Sequence, residues 1–535
     1  MLNSRNMAGV EIFRASPAHE DQVYKRIKSA VFESFSPGRY TDKGVIVKIV
    51  NLMYKEYYAI LDEFLPMVRP RDFVTFLVSE YERYGLVSDA HKRQEMSEEN
   101  DDFWQAYALH SRRGIKHVLE LLCRSNMTAG KVGRTQEEQE DAIAMVFIAA
   151  EELVSLYMRS DSYRGFLDEV TLTLDPNEFT YFYVEEDGKL RFDIRQSVSD
   201  FEKYVPSPMF LQDVEAHAEI LDASFLETLG LSYKDTLGTL GWVIEHFSDK
   251  DNPEALGTFE WKEAIEIFTL NFRITPEQAE LLLNGFSLSA QTMEERELFR
   301  PKQEYRAYKR AFFRDPADGV EYVFFSRRMA WECLNILIAD VPFKKLPPEW
   351  QSTNVKKALD VLSLRAGRWF EQVVERNLET LGIAGSSSVK TLSLGSGQTL
   401  RIPSNVGEID FLGFDEAQKM LVIIEAKQVG YATEPRMFRD DQSKFIEGSD
   451  SYSAKFIKKY NWVLDNVESV EKHFAYKFNL EIKLELAGYA MITLYPTIVS
   501  TKLKEFSCVS ISEFMRKAEG SDAWPFSQTP LKKTE

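Results

Sequence analysis

Residues 407–427 of the chain read GEIDFLGFDEAQKMLVIIEAK, and this stretch decides the fold of the C-terminal third. Two largely apolar runs, at 407–414 and 419–427, flank the polar residues 415–418. Apolar runs that are separated by a short polar turn predict a β-hairpin. The second run is apolar on both of its faces, which is typical of a strand in the middle of a sheet. The stretch therefore predicts two paired strands at the centre of a sheet.

The segments around this hairpin predict a mixed sheet flanked by helices. Residues 364–381 carry an apolar stripe at helical spacing, and Gly382 follows where a left-handed helix C-cap is expected. Further patterns indicate short strands at 389–394 and 399–402, a basic amphipathic helix at 452–466, and a last buried strand or strand pair at 487–499. This order predicts an α/β domain with a mixed sheet between helices.

Three charged residues of the hairpin are candidates for chemistry. Successive side chains of a strand point to opposite faces, so Glu425 and Lys427 share one face and Ala426 points away. The hairpin can bring Asp410 beside Glu425. Two converging carboxylates repel one another unless a divalent cation lies between them, and their hard oxygen atoms suit Mg²⁺. We therefore expect a magnesium site, with the backbone carbonyl of Ala426 as a further ligand.

Such a site would serve phosphodiester hydrolysis. A bound Mg²⁺ polarises the scissile phosphate and lowers the pKa of a bound water. Lys427 would orient the attacking water or neutralise charge on the phosphorane. The alternative is a solvent-facing Glu–Lys pair on an edge strand, because a strand carries such a pair by chance quite often.

The motif Gly407-Glu-Ile-Asp410, followed by a strand that ends in Glu425-Ala-Lys427, resembles the PD-(D/E)xK nuclease superfamily, whose fold is restriction-endonuclease-like. Residues 365–374, RAGRWFEQVV, resemble the Gly-x-x-Phe-Glu pattern of its Mrr-like and Holliday-junction-resolvase-like members. The resemblance implies that Glu371, Asp410 and Glu425 bind Mg²⁺, for which Mn²⁺ can substitute, and that Lys427 is the catalytic lysine. Ile409 stands where the superfamily's name has proline.

Four residues after the motif are candidate DNA contacts. Gln442 and Lys444 follow the motif where superfamily members often place a polar residue near the phosphate. Lys455 and Lys459 lie one turn apart in the predicted helix 452–466, so they share a face that could contact a phosphate backbone. A solvated loop and a solvated helix face are the alternatives.

The patterns before residue 350 predict a second, mainly helical region. Residues 1–345 indicate helices with small β-hairpins, at 170–194 and around the turn 318–319, and two subdomains with a break near 165–205. Paired prolines at 347–348 mark the boundary before a nuclease domain at 350–515, and 516–535 is expected to be a polar tail. The fold class predicted for the whole chain is α+β multidomain.

Composition limits the class of protein. The 535 residues are 44% hydrophobic and 28% charged, as is typical of a globular protein, and no apolar stretch reaches the roughly 18 residues of a membrane helix. The three cysteines lie far apart and the histidines show no ligand spacing, which argues against disulfides and structural zinc and favours a cytoplasmic location.

The net charge of −19 is unevenly distributed. Residues 351–535 hold 24 Lys and Arg and 24 Asp and Glu, whereas residues 1–350 hold 41 basic and 60 acidic residues. The C-terminal part is therefore neutral, and the acidic balance of the whole chain does not argue against DNA as its partner. The acidic N-terminal region could cover a basic groove by mimicking phosphate.

The sequence thus predicts a Mg²⁺-dependent deoxyribonuclease with a helical region for sensing or regulation. By analogy, this arrangement fits a prokaryotic antiviral defence nuclease. A repair or recombination nuclease acting on DNA ends or branches is one alternative, and a non-catalytic DNA-binding or interaction scaffold is another. A homodimer or higher homo-oligomer is expected, because cutting both strands of a duplex usually needs two active sites.

Overall fold

The computed structural model divides the chain into two compact units: unit 1 holds residues 1–187 and 214–359, and unit 2 holds residues 188–213 and 360–535. The chain is mixed α/β with several sheets, as the sequence predicts. The structure describes residues 2–124, 135–165, 169–177, 185–186, 200–207, 209–252, 254–293, 303–317, 320–432 and 435–531.

Unit 1 is mainly helical. The helix Lys43–Phe64 is capped by the Asp42 side chain, which accepts a hydrogen bond from Val45 N at 2.8 Å. Its other helices of eleven or more residues are Pro17–Ser34, Pro70–Lys92, Glu98–Arg124, Gln136–Gly165, Val214–Leu229, Tyr233–His246, Trp261–Phe272, Pro276–Phe286 and Arg327–Asp340.

Small sheets accompany these helices. The strand pairing predicted around residue 319 is confirmed, since Phe312–Ala317 pairs antiparallel with Val320–Phe325, and the predicted turn residues 318–319 lie outside the described residues. Of the hairpin predicted at 170–194, the strand Val170–Leu174 is confirmed and pairs with Gly38–Tyr40 and Glu185–Glu186. Residues 178–184 and 187–199 of that prediction lie outside the described residues. The remaining strands of unit 1 are Asn3–Met7, Val10–Arg14, Gly257–Glu260 and Ser287–Leu288.

The labelled elements begin with helix α1, Thr353–Thr380, which crosses from unit 1 into unit 2. The strands of unit 2 are β1 Ala384–Val389, β2 Thr391–Gly395, β3 Gln398–Arg401, β4 Ile409–Asp415, β5 Met420–Lys427, β6 Leu486–Thr493, β7 Ser507–Ser510 and β8 Ser527–Pro530. The further helices of nine or more residues are α2 Pro435–Ile446, α3 Tyr452–Asp465, α4 Val467–Phe478 and α5 Ile511–Glu519, and a four-residue helix, Phe201–Tyr204, also belongs to unit 2.

The main sheet of unit 2 has the strand order β1-β4-β5-β6-β7, and β8 also pairs with β6. Strands β1, β4 and β5 are antiparallel neighbours, whereas β6 runs parallel to both β5 and β7. The predicted hairpin is β4 and β5, and β5 is central and buried from Met420 to Ala426, as predicted. The predicted strands 389–394 and 399–402 correspond to β2 and β3, which form a separate two-stranded sheet.

Both faces of the β4–β5 hairpin are buried, and one of them forms a core cluster with α3 and α4. Leu412 and Phe414 from β4, with Leu421 and Ile423 from β5, pack in one buried cluster with apolar residues of α3 and α4. Because strand residues alternate between faces, the residues that extend this apolar face are Asp410 on β4 and Glu425 and Lys427 on β5. The apolar face of the hairpin therefore ends in charged side chains.

Two predicted boundaries need correction. The predicted polar tail, residues 516–535, contains the end of α5 and strand β8, and its Trp524 and Phe526 are buried beside Phe514. Burial of these aromatic side chains is energetically favourable, and it fixes the segment against the rest of unit 2. The predicted domain start at 350 lies before the division between the units, which falls inside α1 at residues 359 and 360.

Among the helices that the structure describes, none combines the length and the apolarity that crossing a bilayer requires.

Glycine is needed where β1 and β4 pair. Gly385 and Gly413 lie opposite each other, and a Cβ on Gly413 would be 2.6 Å from the Ala384 carbonyl oxygen and 2.7 Å from the Phe411 ring. We expect Gly413→Ala to lower the free energy of unfolding by about 1–3 kcal/mol, because the ring and the strand must shift. Thermal unfolding of the full chain measures this.

The matched control is Gly367→Ala in α1, where an added Cβ meets no atom within 4 Å. Alanine is the better helix former, so this variant should be as stable as the parent or more stable. A Gly413→Ala variant that melts with the parent would show that the two strands can separate at no cost.

Candidate active site

Strand pairing brings Asp410 and Glu425 together. The ladder between β4 and β5 runs to the pair Phe411 and Ile424, so the next residue of each strand is Asp410 and Glu425. Both side chains are buried, with relative exposures of 6% for Asp410 and 2% for Glu425. Asp410 also accepts a hydrogen bond from Ala426 N at 3.0 Å, which fixes its carboxylate against β5. The predicted convergence of the two carboxylates is thus present.

Lys427 joins this pair from the end of β5. Its Nζ lies 2.7 Å from Glu425 Oε1 and 3.0 Å from Asp410 Oδ2, as expected if residues 425 and 427 share a face. The same ammonium donates to the carbonyl oxygen of Ala426 at 3.2 Å. The Ala426 carbonyl, which is expected to be a metal ligand, therefore lies next to the Lys427 ammonium.

A second lysine completes the group. Lys459 reaches in from α3, and its Nζ lies 2.8 Å from Asp410 Oδ1 and 2.6 Å from Glu425 Oε2. We call Asp410, Glu425, Lys427 and Lys459 the charge cluster. Each lysine bridges both carboxylates, and the two lysines use different oxygen atoms. The formal charge of the cluster is zero, which is how two carboxylates are tolerated in a buried position.

The prediction that Lys455 and Lys459 form one exposed face is wrong for Lys459. Lys459 is only 8% exposed because it lies in the buried stripe of α3, between Phe456 and Val463. Lys455 is exposed and lies 3.8 Å from Asp450. A lysine spaced three and four residues from buried apolar neighbours was the signal in the sequence that Lys459 needs a buried partner.

The ion pairs of the cluster shift the pKa values of Asp410 and Lys427. Burial alone would raise the pKa of Asp410, but Lys427 and Lys459 more than offset this, so the pKa lies below its ordinary value. Burial alone would lower the pKa of Lys427, and the carboxylates of Glu425 and Asp410 reverse the effect and raise it. Asp410 and Lys427 are therefore charged at neutral pH.

Glu371 lies near the charge cluster and is hydrogen-bonded to one serine, Ser388, of the neighbouring strand β1. Its Oε2 accepts a hydrogen bond from Ser388 Oγ at 2.7 Å. Ser388 lies between the β1–β4 pairs Ser387 with Phe411 and Val389 with Ile409, so it falls opposite Asp410. Its backbone has a left-handed φ of 54°, which a serine rarely adopts. This turn of the strand aims the Ser388 hydroxyl at Glu371.

The electrostatics of Glu371 agree with this position. Burial is the main reason that the pKa of Glu371 is raised, and the negative charges of Asp410 and Glu408 raise it further. The Ser388 hydrogen bond and Lys427 act in the opposite direction. Glu371 is therefore a third carboxylate within electrostatic range of Asp410, on the side of the sheet end where β1 meets β4.

Gln442 and Lys444 lie on α2. Gln442 is partly exposed and Lys444 is exposed, and among the contacts of the described residues neither reaches the charge cluster. Gln442 and Lys444 therefore remain candidates for contact with a substrate, but they are not part of the charge cluster. Within the described part of the chain, no three His, Cys, Asp or Glu side chains converge closely enough to hold a metal ion. In the charge cluster the ammonium groups of Lys427 and Lys459 both lie between the two carboxylates.

Comparisons of the chain with protein-family models, with curated proteins and with solved structures give no match. The function has to be inferred from the chain's own residues.

Removing Glu425 should destabilise the protein strongly. Its loss leaves the buried Lys459 and the partly buried Lys427 with Asp410 alone, and breaking a buried ion pair in this way costs about 3–5 kcal/mol. We expect a loss of that size for Glu425→Ala in denaturant unfolding of the full chain followed by circular dichroism.

Glu408→Ala is the matched control. Glu408 is a near neighbour of the cluster, but its ion pair with Lys390 at 3.0 Å is partly exposed. Its removal should lower the free energy of unfolding by less than about 1 kcal/mol. Equal losses for the two variants would contradict a role for Glu425 in neutralising buried lysines.

Proposed function

We propose that unit 2 is a metal-dependent nuclease that hydrolyses phosphodiester bonds of DNA. The observation that carries this proposal is the convergence of Asp410, Glu425 and Lys427 at the end of a central hairpin. Well-packed apolar residues are often as stable as a buried ion pair or more so, so stability alone does not explain why the chain keeps charges there. Titratable groups with perturbed pKa values cluster at functional sites.

The architecture of unit 2 supports the same proposal. A helix, an antiparallel hairpin that bears the candidate residues, further helices and a parallel strand follow one another from α1 to β6. This order is compatible with the restriction-endonuclease-like fold that the sequence resemblance implies, and we include that fold in the proposal. Glu371, which the resemblance adds to the site, is hydrogen-bonded to the residue opposite Asp410.

The donor set at the site fits a hard divalent cation. Asp410, Glu425 and Glu371 offer carboxylate oxygens and Ala426 offers a carbonyl, which are the ligand types that Mg²⁺ prefers and Mn²⁺ accepts. The raised pKa of Glu371 fits as well, because a nearby cation would favour its ionised form. When bound, Mg²⁺ polarises a phosphate oxygen and lowers the pKa of a water molecule.

The chain's own residues would supply the remaining chemistry. The Lys427 ammonium is held 3.0 Å from Asp410 and stays charged, so it can orient a water molecule or stabilise the negative charge of a pentacovalent phosphorus. Asp410 is fixed by Ala426 N and keeps its orientation without substrate. The exposed side chains of Lys444 and Lys455, with Gln442, are proposed contacts for the DNA backbone.

A repair or recombination nuclease is the second enzyme hypothesis, and comparison of linear, circular and branched DNA separates it from a defence nuclease. The non-enzyme hypothesis is a scaffold that binds DNA or partners without cutting. Unit 1 is proposed to sense or regulate, and a homodimer is proposed for cuts in both strands.

Cleavage should depend on the charge cluster. With Mg²⁺ or Mn²⁺, we expect the full chain to cut linear or supercoiled DNA, and chelation to stop it. Asp410→Asn and Lys427→Ala should each lower the rate at least about a hundredfold, because each removes a charge that acts on the reacting phosphate or its cation. Gel analysis of the products measures the rate.

The control for both variants is Glu408→Gln, which changes a carboxylate just outside the cluster and should cut at the parent's rate. Circular dichroism and DNA binding should be close to the parent's for Asp410→Asn and Lys427→Ala. If the parent cuts nothing with either metal, or if these two variants cut as fast as the parent, the nuclease proposal fails.

Glu371 and Glu375 allow a sharper comparison. They lie one turn apart on α1, and each accepts a hydrogen bond from a serine of β1, Glu371 from Ser388 at 2.7 Å and Glu375 from Ser387 at 2.6 Å. Only Glu371 is expected to take part in metal binding. Glu371→Gln should therefore lower cleavage by about 10–100-fold, whereas Glu375→Gln should leave it near the parent's rate.

The quantity to measure in this experiment is the concentration of Mn²⁺ that gives half the maximal cleavage rate. It should rise for Glu371→Gln alone. A matching change in both variants would mean that the serine contacts only fix α1 on the sheet.

A further inference from the structure

We propose that Lys459 is a tethered counter-ion that competes with the divalent cation for Asp410 and Glu425. The inference rests on the proposed metal-dependent function and adds a residue that the sequence motif does not contain. In this view the site exchanges one cation for another: the Lys459 ammonium withdraws when the metal enters, and it returns when the metal leaves.

The contacts of the two lysines distinguish their roles. Lys427 binds Asp410 Oδ2 and Glu425 Oε1, and it also donates to the Ala426 carbonyl. Lys459 binds the other oxygen of each carboxylate, Asp410 Oδ1 at 2.8 Å and Glu425 Oε2 at 2.6 Å. A cation that is shared by both carboxylates needs oxygens that Lys427 leaves available. Those are the two oxygens that Lys459 binds.

The Lys459 ammonium is also free to move away from the two carboxylates without moving its helix. It comes from α3 and not from the strands, and its ammonium is carried on a flexible four-carbon stem. The helix itself is anchored without it, because Phe456 and Val463 are buried in the core and Ser451 caps the helix by accepting from Ala454 N at 3.2 Å. The ammonium can therefore swing away while α3 stays in place.

Formal charge favours the exchange of one cation for another. In the charge cluster, two carboxylates face two ammonium groups and sum to zero. A divalent cation that replaces the Lys459 ammonium raises this sum by one positive charge. A metal that enters while Lys459 stays raises the sum by two positive charges, which is more unfavourable in a buried site.

The test is metal binding by Lys459→Met, with Lys455→Met as the matched control one turn earlier on the same helix. Isothermal titration of the full chain with Mn²⁺ alone measures the dissociation constant. We expect Lys459→Met to bind Mn²⁺ at least about tenfold more tightly than the parent, since a competing charge is gone, and Lys455→Met to bind like the parent.

Thermal unfolding provides a second readout. Without metal, Lys459→Met should melt below Lys455→Met, because two carboxylates then share one ammonium. Saturating Mn²⁺ should raise its melting temperature by more than it raises the parent's. Should Lys459→Met fail to fold, Lys459→Gln gives the same comparison, as its amide still donates to a carboxylate.

The outcomes separate the two proposals. Tighter Mn²⁺ binding by the Lys459 variants supports competition. Equal or weaker binding than in a parent that does bind Mn²⁺ overturns the role of Lys459 and leaves the nuclease proposal standing. If neither the parent nor the Lys459 variants bind Mn²⁺, both the metal-dependent function and the competition are refuted.

Discussion

Unit 2 depends on how two buried carboxylates are neutralised. Asp410 and Glu425 lie at the end of the buried β4–β5 hairpin, where little water can solvate them. Each must meet positive charge at close range, because an unpaired buried charge is costly. Lys427 supplies this positive charge from β5, the strand that also bears Glu425, and Lys459 supplies it from α3. The position of α3 over the hairpin is thus tied to electrostatics as much as to its apolar contacts.

Much of this arrangement could be predicted from local pattern. The alternation of β5 placed Glu425 and Lys427 on one face, and the hairpin turn set Asp410 beside them. Both follow from the two-residue period of a strand and the length of the turn. The long helices of unit 1 and the hairpin near residue 319 likewise follow from periodicity, since each bears its own apolar stripe or alternation.

The features that local patterns could not predict depend on contacts between segments that are distant in sequence. Lys459 lies 49 residues from Asp410, and its amphipathic helix could be rotated to expose or bury it. The pairing of Ser388 with Glu371 needs a left-handed backbone at a serine, which no local pattern predicts. Strand β8 was missed for a similar reason: four residues at a polar chain end gain their strand geometry only from the edge of β6.

That last strand has a consequence for the exposed edges of the sheet. β8 pairs with Leu486–Tyr489 and β7 pairs with Ala490–Thr493, so the two short strands together cover the whole outer edge of β6. An uncovered strand edge offers free amides and carbonyls to other chains. A protein shortened before residue 527 would uncover half of that edge and become prone to self-association through β-strands. The pairing of β8 with β6 therefore closes an edge to which another strand could otherwise pair.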